Sequence, residues 1–262
     1  MLRPRAAIRA FCVRPWRSEL FLRAYEHLPQ AAIDSLVAAL MRLERPRWLV
    51  KAVIAAWVRR GRIDLSEVVV ADWASVEAFF LRRLREGVRP VGPGLVAPVD
   101  GFMVATGAAV HGLEVKGRAL DVAALVGESL GFEANVATIF LTPDGYHHVH
   151  APMALEIVRV RHIAGRSFPQ NDDALALRPD VYLANARVVV RAETARGPVV
   201  MVLVGASLIS GIHVAAPGHY VAGEEIGAFS FGSTVVTFWP CAWGACAKAP
   251  GERVAMGETL VG

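Results

Sequence analysis

The sequence contains little cysteine, few aromatic residues and a modest number of charges. Its 262 residues include 3 cysteines, with 8% aromatic and 20% charged residues. A chain of this length can bury a core without disulfides, which excludes a disulfide-dependent miniprotein. So few cysteines, and an odd number of them, argue against a secreted disulfide framework and favour a reducing compartment. Cys12, Cys241 and Cys246 include no second close pair that would complete a zinc site, so we interpret them as small apolar side chains. Apolar residues make up 54% with a mean hydropathy of +0.40, which excludes a largely disordered chain and suggests membrane contact.

The N-terminal part lacks the continuous apolar run of a signal peptide, because arginines interrupt it at positions 3, 5, 9, 14 and 17. We therefore expect a cytoplasmic protein. The stretch from Gly197 to Gly223 has no Asp, Glu, Lys or Arg and would be long enough to span a bilayer as a helix. Glycines and a proline interrupt it, and it is rich in valine between 199 and 204. We predict a buried strand there.

Positive charge is concentrated near the N-terminus. Residues 1–64 contain 13 Lys and Arg against 5 Asp and Glu, whereas residues 65–262 contain 15 against 19. Such asymmetry attracts nucleic acid or an anionic bilayer. Apolar residues recur at helical spacing over 33–41 and 50–58, with Trp48, Trp57 and basic residues among them, which predicts two amphipathic helices docked on a membrane surface. The alternative is that both helices pack on the protein with solvated arginines. No nucleic-acid partner is expected, because no recognised motif for one is present.

Beyond this region the pattern changes from helix to strand. A third helix is predicted over Trp73–Glu86, with Asp72 or Ser75 near its start and Gly87 as its stop. Short segments rich in Val and Ile predict strands at 101–110, 136–141, 157–163, 187–192, 199–204 and 234–238. The predicted fold class is α+β, with N-terminal amphipathic helices (1–70) followed by a mainly β domain (71–262) that ends in hammerhead-like β units.

Three strings carry residues able to do chemistry: an Asp-Gly at Asp100, the histidines His147, His148 and His150, and a Gly-Ser-Thr containing Ser233. Three imidazoles suffice for zinc. On a strand, however, His148 and His150 would share one face and His147 the other, and no metal is expected. Asp100, a histidine and Ser233 could act instead as orienter, base and nucleophile. They could equally be a turn residue, backbone-bonded histidines and a structural serine.

Taken in order, these strings resemble the phosphatidylserine decarboxylases. The matching segments are SVEAFFLRRLREGVRP at 75–90, APVDG at 97–101, VKG at 115–117, LDVAALVG at 120–127, YHHVHAP at 146–152, NARVVV at 185–190, EEIGAFSFGSTVVTF at 224–238 and GERVAMGETLVG at 251–262. The resemblance covers most of the chain, and the segment at 224–238 is its most specific part. The family consists of self-processing pyruvoyl enzymes that make phosphatidylethanolamine.

The resemblance implies a self-processing site at Gly232–Ser233. Ser233 would attack the carbonyl of Gly232, His150 would take the serine proton, and Asp100 would hold that imidazole. Ser233 would then become a pyruvoyl group, the cofactor implied for the enzyme. This group would form a Schiff base with phosphatidylserine, and decarboxylation would yield phosphatidylethanolamine and CO₂. His147 would return a proton to the substrate carbon. The implied catalytic residues are thus Asp100, His147, His150 and Ser233.

The resemblance also implies two associated chains, residues 1–232 and 233–262, and it allows a homodimer. The protein would lie on the cytoplasmic face of the cell membrane as a peripheral protein, with residues 1–70 docked on anionic lipid and residues 71–262 forming the catalytic domain.

Several positions depart from the family pattern and put the shape of the substrate pocket in question. They are Ala151 and Leu155 on either side of Pro152, Ala186 in place of a common Glu, Ile209-Ser210-Gly211-Ile212, and Ser230 where a Lys is frequent. Two alternatives follow: a pyruvoyl decarboxylase of another amino-acid-like substrate, and a non-catalytic membrane-binding relative.

Overall fold

The computed structural model describes residues 19–109, 113–115, 118–170, 172–178, 180–207, 211–230 and 232–262. The arginines at positions 3–17, Cys12, and parts of the matched segments at 115–117 and 209–212 lie outside these residues. The helices are α1 (Glu19–Glu26), α2 (Gln30–Met41), α3 (Arg47–Gly61), α4 (Val76–Phe80), α5 (Val122–Val126), α6 (Asp172–Leu177) and α7 (Val181–Ala184). The strands are β1 (Leu95–Val96), β2 (Gly101–Ala108), β3 (Leu113–Val115), β4 (Arg118–Leu120), β5 (Ala134–Leu141), β6 (His148–His150), β7 (Leu155–Ile163), β8 (Arg187–Thr194), β9 (Gly197–Gly205), β10 (Ile212–Val214), β11 (Gly218–Tyr220), β12 (Glu225–Phe229), β13 (Ser233–Pro240), β14 (Arg253–Val254) and β15 (Thr259–Val261).

An antiparallel sheet forms the centre of the described part of the chain, with eight strands in the order β11-β7-β8-β9-β13-β5-β2-β14. Each of the six predicted strands overlaps a strand of this sheet; the one predicted over 101–110 ends at Ala108, and its last residue lies outside the described residues. The uncharged stretch that begins at Gly197 starts with β9 and is therefore not a membrane helix at that point. No helix in the described ranges is long and apolar enough to cross a membrane.

The middle strands of this sheet are buried on both faces. In β9, Met201 and Leu203 belong to one hydrophobic core, whereas Val202 and Val204 belong to a second core on the opposite face. Residues of the small sheets β10-β12-β6 and β1-β15 complete the first core, and residues of α1, α5, α6 and α7 complete the second. A strand covered on both faces needs apolar residues at successive positions, which explains the valine-rich sequence.

The N-terminal helices pack in two places: Tyr25 of α1 belongs to the second core of the sheet, whereas α3 packs on α4. Val50 and Ile54 of α3 pack with Val76 and Phe79 of α4 in a third apolar cluster. The segments predicted as helices over 33–41 and 50–58 lie within α2 and α3. Their amphipathic, membrane-docking character remains a prediction.

The helix predicted over Trp73–Glu86 is wrong in length. The hydroxyl of Ser75 caps α4, as predicted, but the helix ends at Phe80. The chain then turns back beside residues 67–69, and the N–H of Val69 donates to the carbonyl of Arg83 at 2.9 Å. The N–H of Arg85 likewise donates to the carbonyl of Glu67 at 2.9 Å. In a longer helix this N–H would donate to the carbonyl of Leu81, so the arginines follow the helix instead of forming its last turns.

The fold is α+β, mostly sheet with few helices. The two turn-and-strand units predicted at the C-terminus are β14, which pairs with β2, and β15, which pairs with β1. Whether they form hammerhead-like units remains a prediction.

Candidate active site

Ser233 is the first residue of β13. It lies opposite Leu141, the last residue of β5, and opposite Gly205, the last residue of β9. The residue is fully buried, and its Oγ makes no hydrogen bond within the described part of the chain. A buried hydroxyl without a partner costs about 1–3 kcal/mol, so packing alone does not account for a serine here.

The peptide bond before Ser233 is held by the adjoining strand. The carbonyl oxygen of Gly232 accepts a hydrogen bond from the N–H of Ala206 at 3.2 Å. A Cβ added to Gly232 would meet nothing within 4 Å. The fold therefore has room for a larger residue at this position.

The histidine segment starts from the end of the sheet where Ser233 lies. β5 ends at Leu141, opposite Ser233, and the chain continues from there into β6. The ring of Tyr146 lies 4.9 Å from that of His148 and 5.6 Å from that of His150. The ring of His147 instead lies 4.2 Å from the ring of Phe80. His148 and His150 thus share one aromatic neighbour while His147 has another, as expected from their spacing.

His150 is buried and hydrogen-bonded at both ring nitrogens. Nδ1 lies 2.9 Å from the carbonyl oxygen of Gly223, and Nε2 lies 2.9 Å from the hydroxyl of Tyr146. A carbonyl can only accept, so the proton is assigned to Nδ1 and Nε2 accepts from the tyrosine. Burial lowers the pKa of His150, although its bond to Gly223 acts in the opposite direction. The imidazole is therefore neutral and suited to act as a base.

His147 is more deeply buried and only half satisfied. Its Nδ1 lies 3.1 Å from the carbonyl of Gly145, whereas Nε2 has no hydrogen-bond partner within the described ranges. Burial lowers the pKa of His147 to about 3, with the charge of Arg82 acting in the same direction and the bond to Gly145 against it. The Nε2 lone pair of a neutral imidazole is thus available for proton transfer.

Asp100 is held by an arginine. Its carboxylate accepts from Nε of Arg89 at 3.0 Å, from Nη2 of Arg89 at 2.6 Å and from the N–H of Met256 at 2.7 Å. Arg89 also contacts Glu67 at 2.9 Å, and its bonds to Asp100 raise its own pKa. No hydrogen bond joins Asp100 to His150 in the described residues. The negative charge of Asp100 does, however, act against the lowering of the pKa of His150 by burial.

Three residues of this site escaped the sequence reasoning: Tyr146, Arg82 and Arg89. The buried guanidinium of Arg82 donates to the carbonyls of Asp144 and Gly145 and so fixes the turn that precedes His147. Tyr146 could have been found because it adjoins the histidines. Arg89 belongs to the Gly-x-Arg-Pro that ends the matched segment at 75–90, but the resemblance gave it no role. Nothing in the local sequence distinguishes Arg82 from the arginines near it, because its partners are distant in the chain.

The remaining candidate ligands do not converge on a metal site. Nδ1 of His148 lies 2.9 Å from a carboxylate oxygen of Glu225, while its Nε2 lies 3.1 Å from the carbonyl of Leu81. Cys241 and Cys246 are free and partly buried. Within the described part of the chain, no group of three His, Cys, Asp or Glu side chains could hold a metal ion.

Comparison with known proteins assigns the chain to one class of enzyme. A family model for phosphatidylserine decarboxylase matches residues 76–262. The phosphatidylserine decarboxylase proenzyme of Pseudomonas entomophila (strain L48) is 32% identical, over 93% of this chain and 98% of the relative. The proenzymes of Pseudomonas fluorescens (strain SBW25) and Anaeromyxobacter sp. (strain K) are 31% and 32% identical, over 86% and 93% of this chain and 91% and 98% of the relatives.

The class is that of the decarboxylating lyases. Within it, the chain belongs to the phosphatidylserine decarboxylase family.

Proposed function

We propose that this protein converts phosphatidylserine to phosphatidylethanolamine and CO₂, using a pyruvoyl group formed from Ser233 when the chain cuts itself after Gly232. One observation carries the proposal: a fully buried Ser233 whose Oγ has no partner in the described residues, directly after a glycine carbonyl that is already hydrogen-bonded. The names of the relatives, phosphatidylserine decarboxylase proenzymes, support both the substrate and the processing.

Self-processing begins at the Gly232–Ser233 peptide bond. Ser233 Oγ adds to the carbonyl carbon of Gly232, His150 takes the hydroxyl proton, and that proton passes to the departing amine as the C–N bond breaks. The resulting ester loses the Cα proton of Ser233, and its Cβ–O bond breaks to leave a carboxylate on Gly232 and dehydroalanine at position 233. Water then converts the dehydroalanine to a pyruvoyl group and ammonia.

The buried position of Ser233 fits such a group. When formed, the pyruvoyl group supplies the electron sink that no ordinary side chain offers. His147 is proposed to hold at Nε2 the proton that returns to the substrate carbon. An anionic substrate beside Nε2 would raise the pKa of His147 from its value in the uncut chain and so favour the protonated form.

Asp100 is proposed to act on His150 through its charge and not through a direct hydrogen bond. A carboxylate near a buried imidazole stabilises the imidazolium that forms when the serine proton is taken. Arg89 and the N–H of Met256 hold the carboxylate in place for this role.

The proposed small chain, residues 233–262, remains within the fold after the cut. Its strand β13 lies between β5 and β9, while β14 pairs with β2 and β15 pairs with β1. Separating the two chains would therefore open the centre of the main sheet, and we expect them to stay associated.

The exposed apolar residues near α2 and α3 support docking on a membrane. Leu36, Leu40, Trp48 and Val53 are exposed on these helices, with Arg59 and Arg60 at the end of α3. Apolar side chains beside cations suit the boundary of an anionic bilayer. Residues 1–70 would hold the site at the cytoplasmic face of the membrane, where a lipid substrate lies.

Intact mass under denaturing conditions tests the self-processing. Wild-type protein should give two chains divided between residues 232 and 233, the smaller carrying an N-terminal pyruvoyl mass, whereas Ser233→Ala should remain one 28.2 kDa chain apart from the substituted side chain. A wild-type chain as intact as Ser233→Ala would contradict the proposal. Release of CO₂ from phosphatidylserine vesicles, compared with release from soluble phosphoserine, then tests the lipid substrate.

A further inference from the structure

The carbonyl that Ser233 is proposed to attack already accepts a hydrogen bond from the neighbouring strand. We propose that the N–H of Ala206 is the oxyanion donor of the self-processing reaction, and that the buried amides of Asn185 and Gln170 position it. This inference rests on the proposed cleavage after Gly232.

The donor lies at the point where two strands end their pairing. β9 ends at Gly205 and β13 begins at Ser233, and these two residues are paired. The next pair outward brings the N–H of Ala206 to 3.2 Å from the carbonyl oxygen of Gly232. When Ser233 Oγ adds to the carbonyl carbon, the π electrons move to this oxygen and it becomes an anion. A hydrogen bond to an anionic oxygen is shorter and stronger than one to a neutral carbonyl, so this contact stabilises the intermediate more than the ground state.

The other end of the same peptide unit is unusually well bonded. The carbonyl of Gly205, which shares a peptide group with the N–H of Ala206, accepts from Asn185 Nδ2 at 2.7 Å and from Gln170 Nε2 at 2.8 Å. Two donors on a carbonyl polarise the peptide group and strengthen its N–H as a donor. They also fix the plane of the peptide, and hence the direction of the Ala206 N–H.

Both amides are held rigidly. Asn185 is fully buried, and it exchanges hydrogen bonds with the backbone of Phe168 at 2.8 and 2.9 Å. Gln170 is 3% exposed, and its Oε1 accepts from the hydroxyl of Thr234 at 2.6 Å. Thr234 directly follows Ser233 in the chain.

These contacts connect the strand that bears the nucleophile to the donor that faces the scissile carbonyl. The end of a strand does not need two buried side-chain amides on one carbonyl. Their presence on Gly205 indicates that the orientation of the Gly205–Ala206 peptide group matters for function. Ala206 does not give up its proton: charge collects on the Gly232 oxygen and returns to the carbonyl as the C–N bond breaks.

Replacing a single N–H by oxygen tests the proposal directly. Lactic acid incorporated at position 206 during cell-free synthesis turns the amide before it into an ester, which keeps the side chain and removes the donor. The matched control carries lactic acid at position 109, where the N–H of Ala109 donates to the carbonyl of Ala134 at 2.7 Å, elsewhere in the sheet. Processing is followed in time by denaturing mass spectrometry. Hydrolysis of the inserted ester at position 206 would release residues 1–205 and is distinguished by mass from residues 1–232.

The ester at 206 should slow formation of the two chains by about 10²–10³-fold, the usual effect of losing one oxyanion donor. The ester at 109 should process within about threefold of the unmodified chain. Equal rates for the two esters would overturn the proposal. If the unmodified chain is never cut, or if Ser233→Ala is cut equally well, the proposed function itself fails.

Side-chain variants give a second test of the proposal, which does not depend on the ester. Asn185→Leu and Gln170→Leu each remove a donor to Gly205, whereas Asn135→Leu removes a comparable bond, to Gly244 at 2.7 Å, in another part of the fold. In chains that resist protease digestion equally, the first two should process at least tenfold more slowly than the third. Folded Asn185→Leu and Gln170→Leu chains that process as fast as Asn135→Leu would contradict the positioning role.

Discussion

The N-terminal helices and the β domain use their apolar residues in different ways. Of the 13 large apolar side chains that are exposed in the described residues, 10 lie between residues 20 and 70. In the main sheet, by contrast, alternate residues of β9 and β13 fill cores on both faces. Isolated exposed apolar residues are normal, but a concentration of them in one region marks an interaction surface.

The many apolar residues of the sequence thus fall into two groups, one buried and one exposed. In the β domain, apolar burial stabilises the fold around the buried Ser233. On α2 and α3, apolar exposure does not stabilise the isolated protein and is available for association. Substitutions in the two regions should therefore have opposite signatures in stability and in vesicle binding.

Trp239→Ala should give the largest loss of stability. Trp239 is fully buried in the first core and donates from its indole N–H to the carbonyl of Gly244 at 3.0 Å. Removal of a buried tryptophan side chain lowers the free energy of unfolding by about 3–5 kcal/mol. Urea unfolding of Ser233→Ala protein, with and without this change, measures the loss in a single uncut chain. A loss below 1 kcal/mol would mean that β13 is not part of a tight core.

Arg89→Leu should be next in size, because Arg89 joins the two regions. It links Glu67, near the N-terminal helices, to Asp100 in the β domain. Removal of the arginine leaves a largely buried carboxylate without its cation, at a cost of about 3 kcal/mol. Urea unfolding in the uncut Ser233→Ala chain measures this loss. With Ser233 present, a time course of chain cleavage should show slower processing because Asp100 is no longer held.

The control for this change is Arg42→Leu, which removes the ion pair of an exposed arginine with Glu77. An exposed pair contributes about 0–1 kcal/mol. Equal losses for Arg89→Leu and Arg42→Leu would show that the Asp100 contact is not a buried one in solution.

The pH dependence of stability should reveal the neutral His147. Its pKa is lowered to about 3 in the fold from an ordinary value of 6.5, so between these values the unfolded chain binds a proton that the folded chain does not. Above pH 6.5, the pKa of this histidine in the unfolded chain, the group costs the folded protein no stability. As the pH falls below that pKa, the free energy of unfolding decreases. The contribution to the slope is about 1.4 kcal/mol per pH unit.

His147→Asn should therefore flatten the plot of unfolding free energy against pH between pH 6 and 4, a window set by the cited pKa values. His162→Asn, which removes a histidine from an exposed position of β7, is the matched control. Both changes are made in the uncut Ser233→Ala chain, where parallel curves with and without His147→Asn would mean that the imidazole is not buried and neutral.

The strands were predictable from the sequence, whereas the contacts of the site were not. Valine-rich segments favour buried strands. The sequence of β9 therefore predicts a strand, although the uncharged stretch that contains it is long enough for a membrane helix. The helix over Trp73–Glu86 was predicted too long, because its pattern fits a helix and only the long-range pairing with residues 67–69 ends it. Asp100 and the histidines were candidates from their chemistry, but the role of each histidine came only from the resemblance, since its surroundings depend on distant partners such as Gly223.

The smallest change in stability, and the sharpest test of the comparison, is expected on α3. Trp48→Ser combined with Val53→Ser removes two exposed apolar side chains, so the free energy of unfolding should change by less than about 0.5 kcal/mol. Binding to anionic vesicles, measured by co-sedimentation, should weaken about tenfold or more, because each apolar side chain that enters the bilayer boundary contributes to affinity.

Val158→Ser separates this effect from a general loss of apolar surface. Val158 is similarly exposed, but it lies on β7 of the main sheet and outside the basic region. If it weakens vesicle binding as much as the α3 changes do, the β domain itself meets the lipid. If neither change weakens binding, the exposed residues of α2 and α3 serve another partner, and a substrate delivered from solution becomes the better explanation of how this enzyme is supplied.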